Sequence, residues 1–248
     1  MKLNKNIILG MFSLIYALPV QATPDDYSKA AGHTGVYVNV NNVYALKCKI
    51  KTYDHSNTNN KLGWYTAWPM IVDYDTNKFI QIGYITSPLE KINKPTFYVS
   101  WSSDGKQINT RYLPDKTSIG NALTPKDEHE YALSLNMDGT ANIQIDGVKY
   151  LDTPEEMIET GISQGTGEFF SEASNLGMDI TTEFKDCFYK LRGDTNWVEM
   201  DKFPSYLLYY ANTGTLIQKS GKSSLFINGT IKKINKGRFF KKVNILKK

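Results

Sequence analysis

Alternation of bulky apolar residues with small or polar ones in the segment 131–151 constrains the fold of this chain more than any other feature. Apolar side chains recur at every second position in Tyr131–Leu135 and again in Thr140–Ile145, and an Asp-Gly pair follows each run. Successive side chains of a strand point to opposite faces, and Asp-Gly favours a tight hairpin turn. The segment therefore predicts antiparallel strands with one buried face.

Strand-like segments recur along most of the chain, separated by polar turns. They are Val36–Tyr53 with a turn at Asn41-Asn42, Trp64–Pro69, Phe79–Ile85, Phe97–Trp101, Gly167–Glu172 and Met178–Leu191. The one predicted helical segment is Thr153–Glu159, where Thr153 can cap a helix and Pro154 would take its first position.

Many short strands with little helix are typical of a sandwich or a barrel. We predict an all-β fold, a two-sheet antiparallel jelly-roll sandwich that spans residues 36–200. A loose polar lead-in at 23–35 is expected before it. Residues 201–248 are expected to form a short, β-rich and basic C-terminal extension.

The first residues predict export from the cytoplasm. Lys2 and Lys5 precede an apolar run from Ile7 to Leu18, and Val20-Gln21-Ala22 supplies the small residues of a cleavage site. This pattern is typical of a signal peptide, and we place cleavage after Ala22. A membrane anchor needs about 20 apolar residues, so we predict a secreted or periplasmic protein with no transmembrane segment.

The cysteine and histidine content limits the chemistry that the chain can carry. In an exported protein a pair such as Cys48 and Cys187 is more often bonded than free, so we predict a disulfide, with two buried thiols as the alternative. His33, His55 and His129 have no metal-ligand spacing. We therefore predict no metal and no cofactor.

Charge is concentrated at the C-terminal end. Residues 219–248 hold ten Lys or Arg and no Asp or Glu, while the whole chain is only +4. We predict that the Lys232–Lys248 tail contacts an anionic surface or folds back on the acidic body, and a solvated tail is the alternative. Nucleic acid is not an expected partner of an exported protein with an acidic body.

Gln81 is the first candidate for a functional role. In Phe79–Ile85, alternation places Ile80, Ile82 and Tyr84 on the core face, and Gln81 with Gly83 on the other. Three of the four tryptophans lie between positions 64 and 101. A neutral amide beside a glycine, on a strand flanked by tryptophans, indicates a binding surface. An edge amide without function is the alternative.

Glu168 is the second candidate. In Gly167–Glu172, alternation places Glu168, Phe170 and Glu172 on one face and turns Phe169 toward the core. A carboxylate in a partly apolar cleft has a raised pKa and can act as a base or an acid under mildly acidic conditions. An opposing amide can donate a hydrogen bond to an oxyanion. Together Gln81 and Glu168 could activate a water against a peptide carbonyl; alternatively, Glu168 is a solvated sheet residue.

The order and spacing of these motifs resemble those of the glutamic peptidases, the eqolisins. Ile80-Gln81-Ile82-Gly83 is similar to the family's Leu-Gln-Thr-Gly segment, and Gly167–Glu172 is similar to its Ala-Glu-Trp-Ile-Val-Glu segment. Trp68 falls where the family has a cleft tryptophan. The resemblance implies a concanavalin A-like sandwich and a secreted, acid-active endopeptidase, with Gln81 and Glu168 as its catalytic pair.

The predicted substrate-binding residues surround that pair. They are Trp64, Trp68, Trp101, Tyr98 and Glu172. The family's Trp-Tyr-Glu-Trp-Tyr-Pro run appears here only as Tyr98–Asp104, without its glutamate. The alternative function is a non-catalytic carbohydrate-binding or surface-interaction sandwich, whose tryptophans and 16 tyrosines would stack on sugar rings. The predicted substrate is therefore a polypeptide or a glycan.

Overall fold

Strands dominate the part of the chain that the structure describes. The computed structural model describes residues 32–38, 40–53, 64–87, 92–113, 124, 126–150, 157–173 and 179–200, together with the strands at 205–210, 225–230 and 243–244. These ranges contain sixteen strands and no α-helix. The predicted signal peptide lies outside them.

The strands form two antiparallel sheets, which we call sheet A and sheet B. Sheet A contains, from edge to edge, β16 (Val243–Asn244), β14 (Ser205–Tyr210), β1 (Gly32–Val38), β11 (Thr166–Ala173), β3 (Tyr65–Asp73), β4 (Lys78–Ser87), β5 (Ile92–Ser102) and β6 (Asn109–Tyr112). Sheet B contains, in order, β10 (Ile158–Glu159), β8 (Thr140–Ile145), β7 (Glu128–Leu135), β2 (Val43–Lys51), β12 (Asp179–Leu191) and β13 (Val198–Glu199). In addition, β9 (Val148–Tyr150) pairs with β8, and β15 (Leu225–Thr230) pairs with β12.

The main hydrophobic core lies between the two sheets. It is built from alternate residues of both sheets, including Ile80, Ile82 and Tyr84 of β4 and Phe169 of β11, as predicted. The hairpins β7–β8 and β8–β9 also form as predicted, and Gly139 and Gly147 in their turns have positive φ angles of 83° and 76°. The predicted antiparallel jelly-roll sandwich is confirmed.

The helix prediction is wrong where the structure can test it. Residues 151–156 lie outside the described residues, but Ile158 and Glu159 form β10, which pairs with β8. Local capping signals at Thr153 and Pro154 were outweighed there by pairing with a sheet edge, since tertiary context overrides a weak local propensity.

The C-terminal segment contributes to both sheets. Strand β14 pairs with β1, β16 pairs with β14, and β15 pairs with β12. The boundary between a domain ending at residue 200 and an extension stays a prediction. Most of the Lys232–Lys248 tail lies outside the described residues. Within the described part of the chain, we find no helix with the length and apolar character needed to cross a membrane.

A disulfide joins two neighbouring strands of sheet B. Cys48 of β2 and Cys187 of β12 are bonded, as predicted, and both are fully buried. The two residues are 139 positions apart in sequence. Closing a loop of that length removes entropy from the unfolded chain and stabilises the fold by about 5 kcal/mol.

Buried hydroxyls connect sheet A to sheet B. The Ser171 hydroxyl of β11 donates to the Tyr65 hydroxyl of β3 over 2.8 Å, and Tyr65 donates to the Thr181 carbonyl of β12 over 2.8 Å. Thr182 Oγ1 donates to Ser171 Oγ over 2.8 Å. Burial raises the pKa of Tyr65 to about 12, so its hydroxyl stays protonated. This network fixes β3 and β11, which hold the candidate site, against β12.

A candidate active site on the outer face of sheet A

Gln81 and Glu168 lie in one row across three adjacent strands. Glu168 of β11 is opposite Met70 of β3, and Met70 is opposite Gln81 of β4. Directly opposed residues of antiparallel strands project from the same face. At a spacing of about 4.8 Å between strands, the Cα atoms of Gln81 and Glu168 are about 10 Å apart. Two long side chains can approach one water molecule across that distance, with Met70 between them.

This row belongs to the face of sheet A that points away from sheet B, which we call the outer face of sheet A. A second hydrophobic cluster covers it, formed by Trp64, Trp68, Met70, Val72, Phe79, Ile85, Tyr98 and Phe170. Gln81 is 3% exposed and Glu168 is 0% exposed. The two predicted catalytic side chains therefore share a largely apolar and water-poor environment, outside the core between the sheets.

Gln81 is held by a neighbouring tyrosine. Its Nε2 atom donates a hydrogen bond of 2.9 Å to the Tyr98 hydroxyl of β5. Burial raises the pKa of Tyr98 well above its usual range, and the negative charge of Glu172 adds to the increase. Tyr98 is therefore a neutral phenol that can both donate and accept a hydrogen bond.

Glu168 is held by a tyrosine that the sequence analysis missed. The Tyr74 hydroxyl, in the turn between β3 and β4, donates to Glu168 Oε1. Asp73 stabilises this turn, because its carboxylate accepts hydrogen bonds from the Asp75 amide over 3.0 Å and the Thr76 hydroxyl over 2.6 Å. Nothing in the sequence links Tyr74 to a glutamate 94 positions away, since the contact depends on β11 pairing with β3.

Glu172 lies on the same face but at a different position. It is opposite Thr66 of β3 and only 2% exposed. Four residues of extended strand separate it from Glu168, which places the two Cα atoms about 13 Å apart. Glu172 therefore does not form a carboxylate pair with Glu168, and instead acts on the charge environment of Tyr98.

Aromatic side chains separate the two glutamates. Trp68 stacks on Phe170, with ring centroids 5.5 Å apart and an interplanar angle of 21°. Trp68 is 1% exposed and Trp64 is 8% exposed. Gly83 is required beside them, because a Cβ atom at this position would lie 2.0 Å from the Ala67 carbonyl oxygen.

Trp101 is not part of this face. It is opposite Ile80 on the inner side of sheet A, where it packs against the core between the sheets and where Arg111 lies 5.7 Å from its ring. Trp101 is three residues from Tyr98, and an odd spacing in a strand turns two side chains to opposite faces. We therefore correct the sequence prediction and remove Trp101 from the candidate site.

The described residues contain no group of three or more His, Cys, Asp or Glu side chains arranged to bind a metal ion. The functional groups of the candidate site are thus an amide, two carboxyl groups and several hydroxyls. Such groups can exchange protons with a water molecule and donate hydrogen bonds to a developing oxyanion.

Comparisons with solved structures identify proteins with the same fold. No family model matches the chain, and no curated protein matches it significantly. Two crystal structures of scytalido-glutamic peptidase with transition-state analogues have TM-scores of 0.54 and 0.55 and 12% identity. They cover 81% and 82% of this chain and 98% of their own. SCP-B, an eqolisin bound to the tripeptide Ala-Ile-His, has a TM-score of 0.49 at 12% identity and covers 81% of this chain and 98% of its own. At this identity the likeness shows the sandwich fold alone.

Proposed function

We propose that this protein is a secreted, acid-active endopeptidase of the glutamic type. The observation that carries the proposal is the row Glu168–Met70–Gln81, which aligns a carboxyl and an amide on one desolvated face. The likeness in fold to scytalido-glutamic peptidase supports it. The Cys48–Cys187 disulfide fits an exported protein.

In the proposed mechanism, Glu168 is the general base. Its carboxylate takes a proton from a water molecule, and the water oxygen attacks the carbonyl carbon of the peptide bond. A Gln81 N–H donates to the oxyanion of the tetrahedral intermediate. The protonated Glu168 then gives its proton to the leaving amine as the C–N bond breaks. Tyr74 holds the carboxylate in position throughout.

The burial of the pair adds a requirement. Because Gln81 and Glu168 are 3% and 0% exposed, a polypeptide can reach them only when the surface above this face opens.

A carbohydrate-binding function has less support from the same face. Stacking on a sugar needs an exposed aromatic ring, whereas Trp68 and Trp64 are 1% and 8% exposed. We favour a polypeptide substrate because the carboxyl of Glu168 and the amide of Gln81 supply groups for hydrolysis of a peptide bond, which sugar binding does not require.

The proposal is tested by measuring hydrolysis of an acid-denatured protein between pH 3 and 7 by the mature chain. We expect cleavage by the wild type, and a rate lowered about 10²–10³-fold by Gln81→Ala, the usual effect of removing one oxyanion donor. Glu168→Gln should lower it at least as much, because the base is lost.

Glu130→Gln is the matched control for Glu168→Gln. Glu130 is also a strand glutamate, but it lies in β7 of sheet B. Its substitution should leave the rate within twofold of wild type, roughly the scatter of such assays. Equal activity of the wild type and Glu168→Gln, or no hydrolysis by the wild type after acid treatment, would exclude the proposed function.

A further inference from the structure

A chain of buried hydrogen bonds extends from Gln81 across the outer face of sheet A. Gln81 Nε2 contacts the Tyr98 hydroxyl at 2.9 Å, and Thr66 Oγ1 contacts the same hydroxyl at 2.7 Å. Thr66 Oγ1 also lies 2.9 Å from the Tyr84 carbonyl oxygen. Gln81, Tyr98 and Thr66 are 3%, 0% and 0% exposed, so bulk water does not compete for these bonds.

The proton count sets the direction of this chain. Thr66 Oγ1 is the donor in both of its bonds, so its one hydroxyl proton is shared between the Tyr84 carbonyl and the Tyr98 oxygen. The Tyr98 oxygen therefore accepts from Thr66 and from the Gln81 amide nitrogen, which occupies both of its acceptor positions.

We propose that Tyr98 and Thr66 are positioning residues that fix the orientation of the Gln81 amide. One N–H of Gln81 is committed to Tyr98, which leaves the second N–H for the oxyanion of a substrate. In the flipped amide, the Gln81 carbonyl oxygen would face the lone pair of Tyr98 that accepts from Nε2, which is an unfavourable contact in a buried site. This inference rests on the proposed function.

The protonation state of Tyr98 supports this assignment. Burial raises the pKa of Tyr98 well above its usual range, so the phenol keeps its proton and the chain keeps its direction at every pH relevant to an acid-active enzyme. The Tyr98 hydroxyl is thus engaged within the protein. We correct the sequence prediction that it binds substrate.

The experiment compares Tyr98→Phe, Thr66→Val and Thr66→Ser with the wild type. Tyr98→Phe should lower kcat about 10-fold and leave KM within about twofold, because only the alignment of the amide is lost. Thr66→Val should act in the same direction, and Thr66→Ser, which keeps the hydroxyl, should restore wild-type values. Tyr44→Phe, in strand β2 of sheet B, is the matched control and should leave kcat unchanged.

A second readout does not depend on activity. The side-chain amide resonances of Gln81, assigned by their loss in Gln81→Ala, should shift in Tyr98→Phe and Thr66→Val but not in Thr66→Ser. If the wild type hydrolyses no substrate, the proposed function fails while these resonances still test the hydrogen-bond chain. Unmoved resonances in folded Tyr98→Phe, or a raised KM with unchanged kcat, would overturn the inference.

Discussion

The outer faces of the two sheets follow the same two-residue alternation but carry opposite chemistry. On sheet B, the face away from the core carries solvent-exposed ion pairs. Lys49 contacts Asp186 at 2.8 Å and Lys185 contacts Glu128 at 2.9 Å, and these side chains are 33–56% exposed. On sheet A, the same kind of face carries Trp68, Phe170 and carboxyl groups that are almost fully buried.

This difference is the reason that we propose a functional role for the outer face of sheet A. A hydrated ion pair costs little and contributes little, typically about 0–1 kcal/mol. A desolvated carboxyl costs several kcal/mol unless other groups compensate, and Glu168 receives the Tyr74 hydroxyl as one such group. A buried carboxyl in the same row as a positioned amide lowers stability unless it is compensated, and a role in function would account for its presence.

The largest expected effect is a loss of stability on the outer face of sheet A, compared with a small loss on that of sheet B. Phe170→Ala removes a ring that stacks on Trp68 and is fully buried, which should lower the free energy of unfolding by about 3–5 kcal/mol. Lys49→Ala on sheet B should cost much less, because its ion pair with Asp186 is hydrated. Urea unfolding at pH 7 measures both. Equal losses would mean that the two faces are energetically alike.

A smaller effect is expected from Tyr74→Phe. It removes the hydroxyl that donates to Glu168 and should lower kcat/KM about 10-fold, the value of one such hydrogen bond. Tyr44→Phe, a tyrosine of sheet B that lies over Arg192, serves as control and should leave kcat/KM unchanged. A wild-type kcat/KM for Tyr74→Phe would show that Tyr74 does not support the base.

The smallest expected effect is a change in stability at one turn of each sheet. It tests whether the two sheets differ only in their outer faces. Asp104 in a turn of sheet A accepts hydrogen bonds from the Gln107 and Lys106 amides, which lower its pKa. Asp138 in a turn of sheet B has a pKa lowered by the Thr140 hydroxyl and amide. Both carboxylates thus stabilise the fold above their unfolded pKa of about 3.9, and this contribution disappears as the pH falls through the lower folded pKa.

Asp104→Asn and Asp138→Asn should therefore behave alike, although their turns belong to different sheets. Each variant should be slightly less stable than wild type at pH 7, and the difference should shrink to zero in strong acid. Thermal unfolding between pH 2 and 7 measures this. A difference that grows toward acid pH would contradict the assigned hydrogen bonds.

Local patterns predicted the strands and the faces but not the side-chain contacts between neighbouring strands. Alternation correctly placed Gln81 and Glu168 on the face of the sheet that points away from the core. The face on which a side chain lies depends only on whether its position in the strand is odd or even. The same rule, applied to Tyr98 and Trp101, would have separated them, and grouping them as one aromatic motif produced the error. Tyr74 and Thr66 could not be found in this way, because their roles depend on the order of β11, β3, β4 and β5 in the sheet.

The central claim is that Gln81 and Glu168 act together on one water molecule, and a double-mutant cycle tests it most directly. Residues that act as a unit are strongly non-additive, so kcat of Gln81→Ala/Glu168→Gln should lie within about threefold of the slower single variant. Losses that multiply would mean that the two side chains act independently. That result would contradict the joint role that their shared row on sheet A implies.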